Sequence, residues 1–102
     1  MKFNIESRHL SLVCKILNEN LKSSNASVYV FGSRVTGVTK KYSDLDLAID
    51  YSGQKIPFEL YTKLSTAFEK SLLPYKVDIV DLNSISEQFR KIINDDLTIL
   101  DY

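Results

Sequence analysis

The sequence contains few of the residues that define several large classes of protein. A single cysteine, Cys14, excludes an intramolecular disulfide framework, and its place on an apolar stripe predicts core packing. A single histidine, His9, does not favour a zinc site. No apolar run approaches the roughly 20 residues of a membrane-spanning helix, and the charged start MKFNIESRH does not resemble a secretory signal. We therefore expect a cytoplasmic protein without membrane contact.

An excess of charge of either sign is also absent. Thirteen basic and thirteen acidic side chains give a net charge of zero, so no overall field attracts nucleic acid or a membrane surface. We expect no strong independent binding of nucleic acid, and a polyanion would need a local site or a partner. With 102 residues, 44% of them hydrophobic, we expect one globular domain covering residues 1–102.

The hydrophobic pattern predicts three helices and three or four strands. The predicted helices are residues 7–22, a segment from Pro57 to about Leu72, and a last helix capped by Ser84 or Ser86. The apolar stripes of the second and third helices are Phe58, Tyr61, Leu64, Phe68 and Leu72, and Ile85, Phe89, Ile92 and Ile93. The predicted strands are 27–31, 45–51, 76–81 and an edge segment at 98–100. This order predicts an α/β or α+β fold, in which helices flank a small mixed sheet of three to four strands.

The second predicted strand carries a pair of acids on one face. Leu45 to Tyr51 alternates between apolar residues and a face that begins with Asp44 and Asp46. Side chains two apart on a strand share a face, with Cα atoms roughly 6.5–7 Å apart. Two such carboxylates can converge on one divalent cation and share a second, as in two-metal sites. A solvent-exposed acidic face is the alternative explanation of the same pattern.

A third acid strengthens the metal hypothesis. Asp78 interrupts the apolar run Val77-Asp78-Ile79-Val80, which we expect to form a central strand. A charge buried there is costly unless it binds a metal or pairs with a cation. A salt bridge to a lysine would satisfy Asp78 equally well, so both explanations remain open at this point.

A glycine-serine turn precedes the acidic strand. Gly32 and Ser33 follow the first predicted strand, where glycine permits close approach of a ligand and the serine hydroxyl can contact phosphate oxygens. Arg34, Lys40 and Lys41 add local positive charge. Such turns are common, and it is the position directly before the acidic strand that favours a phosphate site.

The combined pattern resembles the DNA polymerase β-like nucleotidyltransferase superfamily. Gly32-Ser33, ten intervening residues, Asp44-Leu45-Asp46-Leu47 and a later Val-Asp-Ile-Val carry the resemblance, which covers roughly residues 27–81. The segments GSRVTG and SDLDLAID are similar to those of the minimal nucleotidyltransferase (MNT) branch. Many members of that branch have Ala-Arg where this chain has Val35-Thr36.

The resemblance implies specific roles and partners. Gly32, Ser33 and Arg34 would bind the triphosphate of ATP, and Asp44, Asp46 and Asp78 would be catalytic and would hold two Mg²⁺ ions. MNT proteins are often antitoxins paired with an all-helical HEPN toxin, which some of them modify with AMP on a tyrosine. Two alternatives remain: an inactive transferase-like module that neutralises its partner by binding, and transfer to a small molecule or RNA held by a separate subunit.

Overall fold

The computed structural model describes residues 4–37 and 42–102. Its helices are α1 (Ser7–Leu21), α2 (Ser33–Thr36), α3 (Phe58–Glu69) and α4 (Glu87–Ile93), and its strands are β1 (Ser27–Phe31), β2 (Leu45–Asp50), β3 (Val77–Asp81) and β4 (Thr98–Leu100). The lysines at 40 and 41, which we expected to add positive charge beside the turn, lie outside the described residues. No helix in the described ranges is both long and apolar enough to span a bilayer.

The four strands form one mixed sheet in the order β3-β2-β1-β4. β1 pairs antiparallel with both β2 and β4, whereas β2 and β3 run parallel and are joined through α3. The predicted α/β or α+β fold with a small mixed sheet of three to four strands is thereby confirmed, including the edge strand at residues 98–100. The prediction that residues 76–81 form a central strand is wrong, because β3 lies at the other edge.

The main core lies between one face of the sheet and helices α1 and α3. Leu45, Leu47 and Ile49 of β2 are fully buried there, as the alternation of that strand predicts. Leu17 of α1 and Leu64 of α3 pack against them from above and are equally inaccessible. Cys14 packs half-buried at the margin of this core, as its apolar stripe indicates.

Helix α3 buries less of its apolar stripe than the sequence predicts. Leu64 and Phe68 are buried, but the side chain of Phe58 is 81% exposed and that of Leu72 is 89% exposed. Phe58 is the first residue of the helix, and Leu72 lies beyond its last residue, Glu69. Both therefore fall outside the stretch of helix that covers the sheet.

A smaller core covers part of the opposite sheet face. Phe31, Ala48, Leu82 and Ile93 form it, with Ile93 contributed by α4. Ser86 caps α4 by accepting a hydrogen bond from the backbone N–H of Phe89 at 3.1 Å.

The expectation that Ile92 points inward is wrong. Its side chain is 73% exposed, whereas that of Ile93 is buried. Consecutive residues of a helix point about 100° apart, and in α4 the side of the helix that carries Ile93 faces the sheet while Ile92 points to solvent. Because α4 covers only part of this sheet face, the ends of β2 and β3 that carry the acids remain accessible.

Candidate active site

The turn after β1 packs directly on the acidic strand. Gly32 has φ +76°, a backbone conformation that glycine adopts without steric cost. Its carbonyl oxygen accepts hydrogen bonds from the N–H groups of Val35 and Thr36 at 3.0 and 3.1 Å, which starts the short helix α2. A side chain at position 32 would collide with the carboxyl group of Asp46. The absence of a side chain at Gly32 therefore brings the turn into contact with Asp46.

The fold places two of the predicted acids side by side. Asp46 and Asp78 are register partners on the parallel strands β2 and β3, so their side chains leave the same face of the sheet. Both line a cavity of about 570 Å³. Phe31, Tyr61 and Phe89 also line this cavity and give it aromatic walls. The arrangement is a cleft with two adjacent carboxylates, aromatic and aliphatic walls, and the polar side chains of Ser65 and Lys76 in its lining.

Burial and the neighbouring acids both act on the Asp46 carboxyl group. Burial raises the pKa of its carboxyl group above the usual aspartate value, and the nearby charges of Asp78 and Asp44 raise that pKa further. Deprotonation of Asp46 is thus opposed by its environment. A bound cation would reverse this effect, because it would offset the repulsion among the three carboxylates.

Asp44 stands apart from the adjacent pair. It is exposed, precedes β2, and acts on Asp46 through its charge. Within residues 4–37 and 42–102, no three His, Cys, Asp or Glu side chains are already grouped as a metal site. The donor chemistry nevertheless fits Mg²⁺, which prefers carboxylate oxygens and usually keeps several waters and substrate phosphates as its other ligands. Asp46 and Asp78 are the two donors that the fold brings together.

Lys76 forms an ion pair with Asp78. Its Nζ lies 3.3 Å from Oδ1 of Asp78, with the two side chains 72% and 41% exposed. The sequence left open a salt bridge between Asp78 and a lysine, and Lys76 forms that salt bridge. The pair lies at the surface, beside an edge strand. The argument that Asp78 carries a large burial cost is wrong, and its place in the candidate site rests on its register with Asp46.

The structure does not bring the Arg34 side chain to this cleft. Arg34 is only 5% exposed, and its guanidinium donates hydrogen bonds to two backbone carbonyl oxygens below the turn. The expected contact between this guanidinium and the triphosphate therefore has no support in the geometry. Gly32 and Ser33, in contrast, lie at the junction of β1 and α2, as the sequence indicates.

Two residues of the cleft were assigned to the core by sequence pattern alone. Tyr61 and Phe89 have about a third of their side chains exposed, at 37% and 36%. The Tyr61 hydroxyl donates a hydrogen bond to the carbonyl oxygen of Ile79 at 3.3 Å, which fixes the ring beside β3. In the sequence, Tyr61 and Phe89 differ from the core residues of their helices only in lying near the start of each apolar stripe.

Asp81, at the end of β3, has a structural role that the sequence did not reveal. Its carboxylate accepts hydrogen bonds from the backbone N–H groups of Ile56 at 2.9 Å and Asn83 at 3.1 Å, and from the Ser84 hydroxyl at 3.0 Å. These bonds fix the segments that lead into α3 and α4. Asp81 thus stabilises the walls of the cleft without facing it.

A mixed sheet with paired carboxylates beside a glycine turn is the arrangement that the resemblance to nucleotidyltransferases predicts. Residues 13–101 match the family model "Polymerase beta, Nucleotidyltransferase", and the chain belongs to this family. The chain is 44% identical over 92 residues to the probable protein adenylyltransferase MntA of Haemophilus influenzae, covering 90% of this chain and 78% of the relative. The resemblance to the MNT branch is thereby confirmed.

Solved structures agree with this assignment. The fold is similar to a chain in the crystal structure of a toxin-antitoxin with AMP-PNP, with a TM-score of 0.63 and 26% identity over 88% of this chain and 70% of that chain. It is also similar to a chain in the complex of the tri-AMPylated Shewanella oneidensis HEPN toxin with its MNT antitoxin. That match has a TM-score of 0.59 and 23% identity, covers 93% of this chain and 71% of that chain, and concerns the fold alone.

Proposed function

We propose that the protein is a magnesium-dependent adenylyltransferase that moves AMP from ATP onto a hydroxyl group of a partner protein, as the antitoxin of a HEPN/MNT pair. The observation that carries the proposal is the adjacent placement of Asp46 and Asp78 in a cleft against the Gly32 turn. The 44% identity to a relative named as a protein adenylyltransferase supports the choice of AMP and of a protein acceptor.

The acids and the glycine turn would have separate roles in binding and chemistry. Asp44, Asp46 and Asp78 would hold Mg²⁺, which supplies charge neutralisation for the transferred phosphoryl group. Gly32 and Ser33 would bind the triphosphate, since the turn permits close approach of phosphate oxygens.

The acceptor hydroxyl would enter beside Asp78. Its oxygen attacks the α-phosphorus of ATP, its proton passes to the Asp78 carboxylate, and the bond to pyrophosphate breaks. The cleft walls would position the acceptor, because a held hydroxyl reacts far faster than one that arrives by diffusion.

A partner protein is the expected source of that hydroxyl. The cleft is open, and the aromatic rings of Tyr61 and Phe89 offer a surface against which a segment of another protein can pack. The toxin–antitoxin neighbours support a HEPN-type helical protein as this partner.

The decisive experiment supplies a HEPN-type helical protein as the acceptor. The two proteins are incubated with ATP and Mg²⁺, and the intact mass of each is measured. We expect the partner to gain one or more AMP units in the presence of wild-type protein. Asp46→Asn should remove this gain, and Asp95→Asn, a change at an exposed acid outside the cleft, should retain it.

The other outcomes identify the alternatives. Tight complex formation without any mass change would contradict transfer and indicate an antitoxin that neutralises by binding. Labelled AMP that appears on RNA or a small molecule, but not on protein, would contradict the protein acceptor while retaining nucleotidyl transfer.

A further inference from the structure

One buried guanidinium contacts three segments that are distant in sequence. Arg34 is the single buried charged side chain of the described residues. Its Nη1 donates a hydrogen bond to the carbonyl oxygen of Asn4 at 2.9 Å, and its Nη2 donates to that of Ser43 at 2.6 Å. Its Cζ lies 4.0 Å from the centre of the Tyr75 ring. A charge buried this deeply needs hydrogen-bond partners, and Nη1, Nη2 and the face of the guanidinium have contacts of this kind. Nε is buried without a hydrogen-bond partner among the described residues.

Two of the three contacted segments lead to residues of the candidate site, and the third, at Asn4, precedes α1. Arg34 directly follows the Gly32–Ser33 turn, and Ser43 directly precedes the acidic strand. Tyr75 leads into β3, the strand that carries Asp78. The guanidinium therefore connects the turn with the start of the Asp44–Asp46 segment and with the approach to β3, and Arg34 is not among the residues that line the cleft.

We propose that Arg34 is a positioning residue that holds the Gly32–Ser33 turn at a fixed distance from the start of β2, with its charge directed away from the nucleotide. Arginine suits this role because its planar fork donates to two carbonyl oxygens while its face stacks on a ring. Lysine has one compact ammonium group and cannot make both kinds of contact from one position. The catalytic consequence rests on the proposed function, whereas the tether itself does not.

The test compares Arg34→Met and Arg34→Lys with a matched control, Arg8→Met. Arg8 is 80% exposed and pairs only with the exposed Glu6 side chain among the described residues, so its loss removes a charge without removing a tether. Backbone hydrogen exchange of each full-length protein is measured without nucleotide, at a temperature well below the melting temperature. Circular dichroism first establishes that each variant is folded.

We expect a local loss of protection. The amides of residues 43–45 should exchange about tenfold faster in Arg34→Met than in the wild type, with β1 unchanged, since local opening free energies differ among segments of one fold. Arg34→Lys should give an intermediate rate, and Arg8→Met should match the wild type. Unchanged exchange at residues 43–45 in a folded Arg34 variant would overturn the proposal. If Arg34→Met does not fold, Arg34→Lys decides the outcome on the same amides.

A kinetic measurement separates positioning from nucleotide contact. With ATP, Mg²⁺ and the acceptor, kcat of the Arg34 variants should fall about tenfold or more because of misplacement, while KM for ATP changes less than about threefold. A large rise in KM with unchanged kcat would instead assign Arg34 to the triphosphate and contradict the proposal. If the wild type transfers no AMP at all, the proposed function fails, and the exchange result still decides whether Arg34 is a tether.

Discussion

Gly32 and Asp46 share a space that is too small for a second side chain. The turn that contains Gly32 lies against the Asp46 carboxyl group, so a Cβ at position 32 would overlap Oδ2. Asp46 in turn lies beside Asp78. A methyl group added at Gly32 must therefore either strain the turn or rotate the Asp46 side chain away from its neighbour.

Gly32→Ala should lower both stability and transfer. Gly32 has φ +76° and ψ −152°, a region almost confined to glycine, so an alanine there costs about 1–3 kcal/mol, and the overlap adds about 1–3 kcal/mol. Gly53→Ala is the matched control, because Gly53 has φ +79° and open space around the position of a Cβ. Urea unfolding should show a larger loss for Gly32→Ala than for Gly53→Ala. Equal losses of unfolding free energy would mean that the Asp46 side chain moves aside without an energetic cost, which would contradict the prediction.

Asp46→Asn should stabilise the protein at neutral pH in the absence of metal. The pKa of Asp46 is raised by burial and by its acidic neighbours, so the folded state favours the protonated form. The free energy that the protonated Asp46 side chain contributes to folding is therefore fully present below the pKa that Asp46 has in the unfolded chain. This contribution is lost as the pH rises through the higher pKa of Asp46 in the folded protein. We expect a gain of at most about 1 kcal/mol at pH 7, since solvent screens a part-buried group.

Two measurements check the Asp46 prediction. The stability difference between variant and wild type in urea unfolding should shrink as the pH is lowered below the folded pKa of Asp46. The rise in melting temperature that Mg²⁺ plus ATP gives the wild type should be absent from the variant. A constant difference at every pH would show that charge is not its cause, and an unchanged ligand-induced rise would remove Asp46 from the site.

Asp50, on the same strand, should respond in the opposite direction. Its pKa is lowered by a hydrogen bond from the Asn83 side chain, at 2.9 Å, and by one from the Gly53 N–H, at 2.8 Å. Its contribution to stability is present above the unfolded pKa and is lost as the pH falls through the folded pKa. Asp50→Ala should cost about 0.5–1 kcal/mol at pH 7 and progressively less in acid, as measured by urea unfolding. A loss that grows in acid would contradict this assignment.

Tyr75→Phe should leave stability unchanged or raise it by up to about 1 kcal/mol, because it removes a buried polar group without disturbing the ring below Arg34. The Tyr75 hydroxyl is buried without a hydrogen-bond partner among the described residues. Tyr102→Phe is the control, since the Tyr102 hydroxyl donates to the carbonyl oxygen of Ala26 at 2.7 Å. Thermal melts should show that only the control loses stability, and a clear loss in Tyr75→Phe would indicate a partner for its hydroxyl.

The strands and their order of appearance could be predicted because each has a local pattern. The alternation of β2 identified Leu45, Leu47 and Ile49 as core and placed Asp46 on the opposite face. The side-by-side position of Asp46 and Asp78 could be inferred only through family resemblance, because parallel pairing depends on the path of α3. Periodicity fixes which face a residue takes, and it does not fix which strands are neighbours.

The remaining differences come from tertiary context. Arg34 was assigned to the triphosphate because of its positive charge beside the turn and the family resemblance, whereas its burial depends on carbonyl groups 30 and 9 residues away. Ile92 and Leu72 were assigned to the core because an apolar stripe does not reveal where its helix ends or which part meets the sheet. Such features require knowledge of the neighbouring elements.

The edge position of β3 gives the charges beside the cleft a protective role in solution. An unpaired strand edge is a template for association with other chains, and charged side chains are a common safeguard against it. Lys76 and Asp78 supply such charges, and the Tyr61 hydroxyl occupies one carbonyl oxygen of the strand. Neutralising Asp78 would thus remove a safeguard against aggregation, whereas Asp46 lies on an inner strand. An inactive protein intended for long storage is therefore better made by changing Asp46.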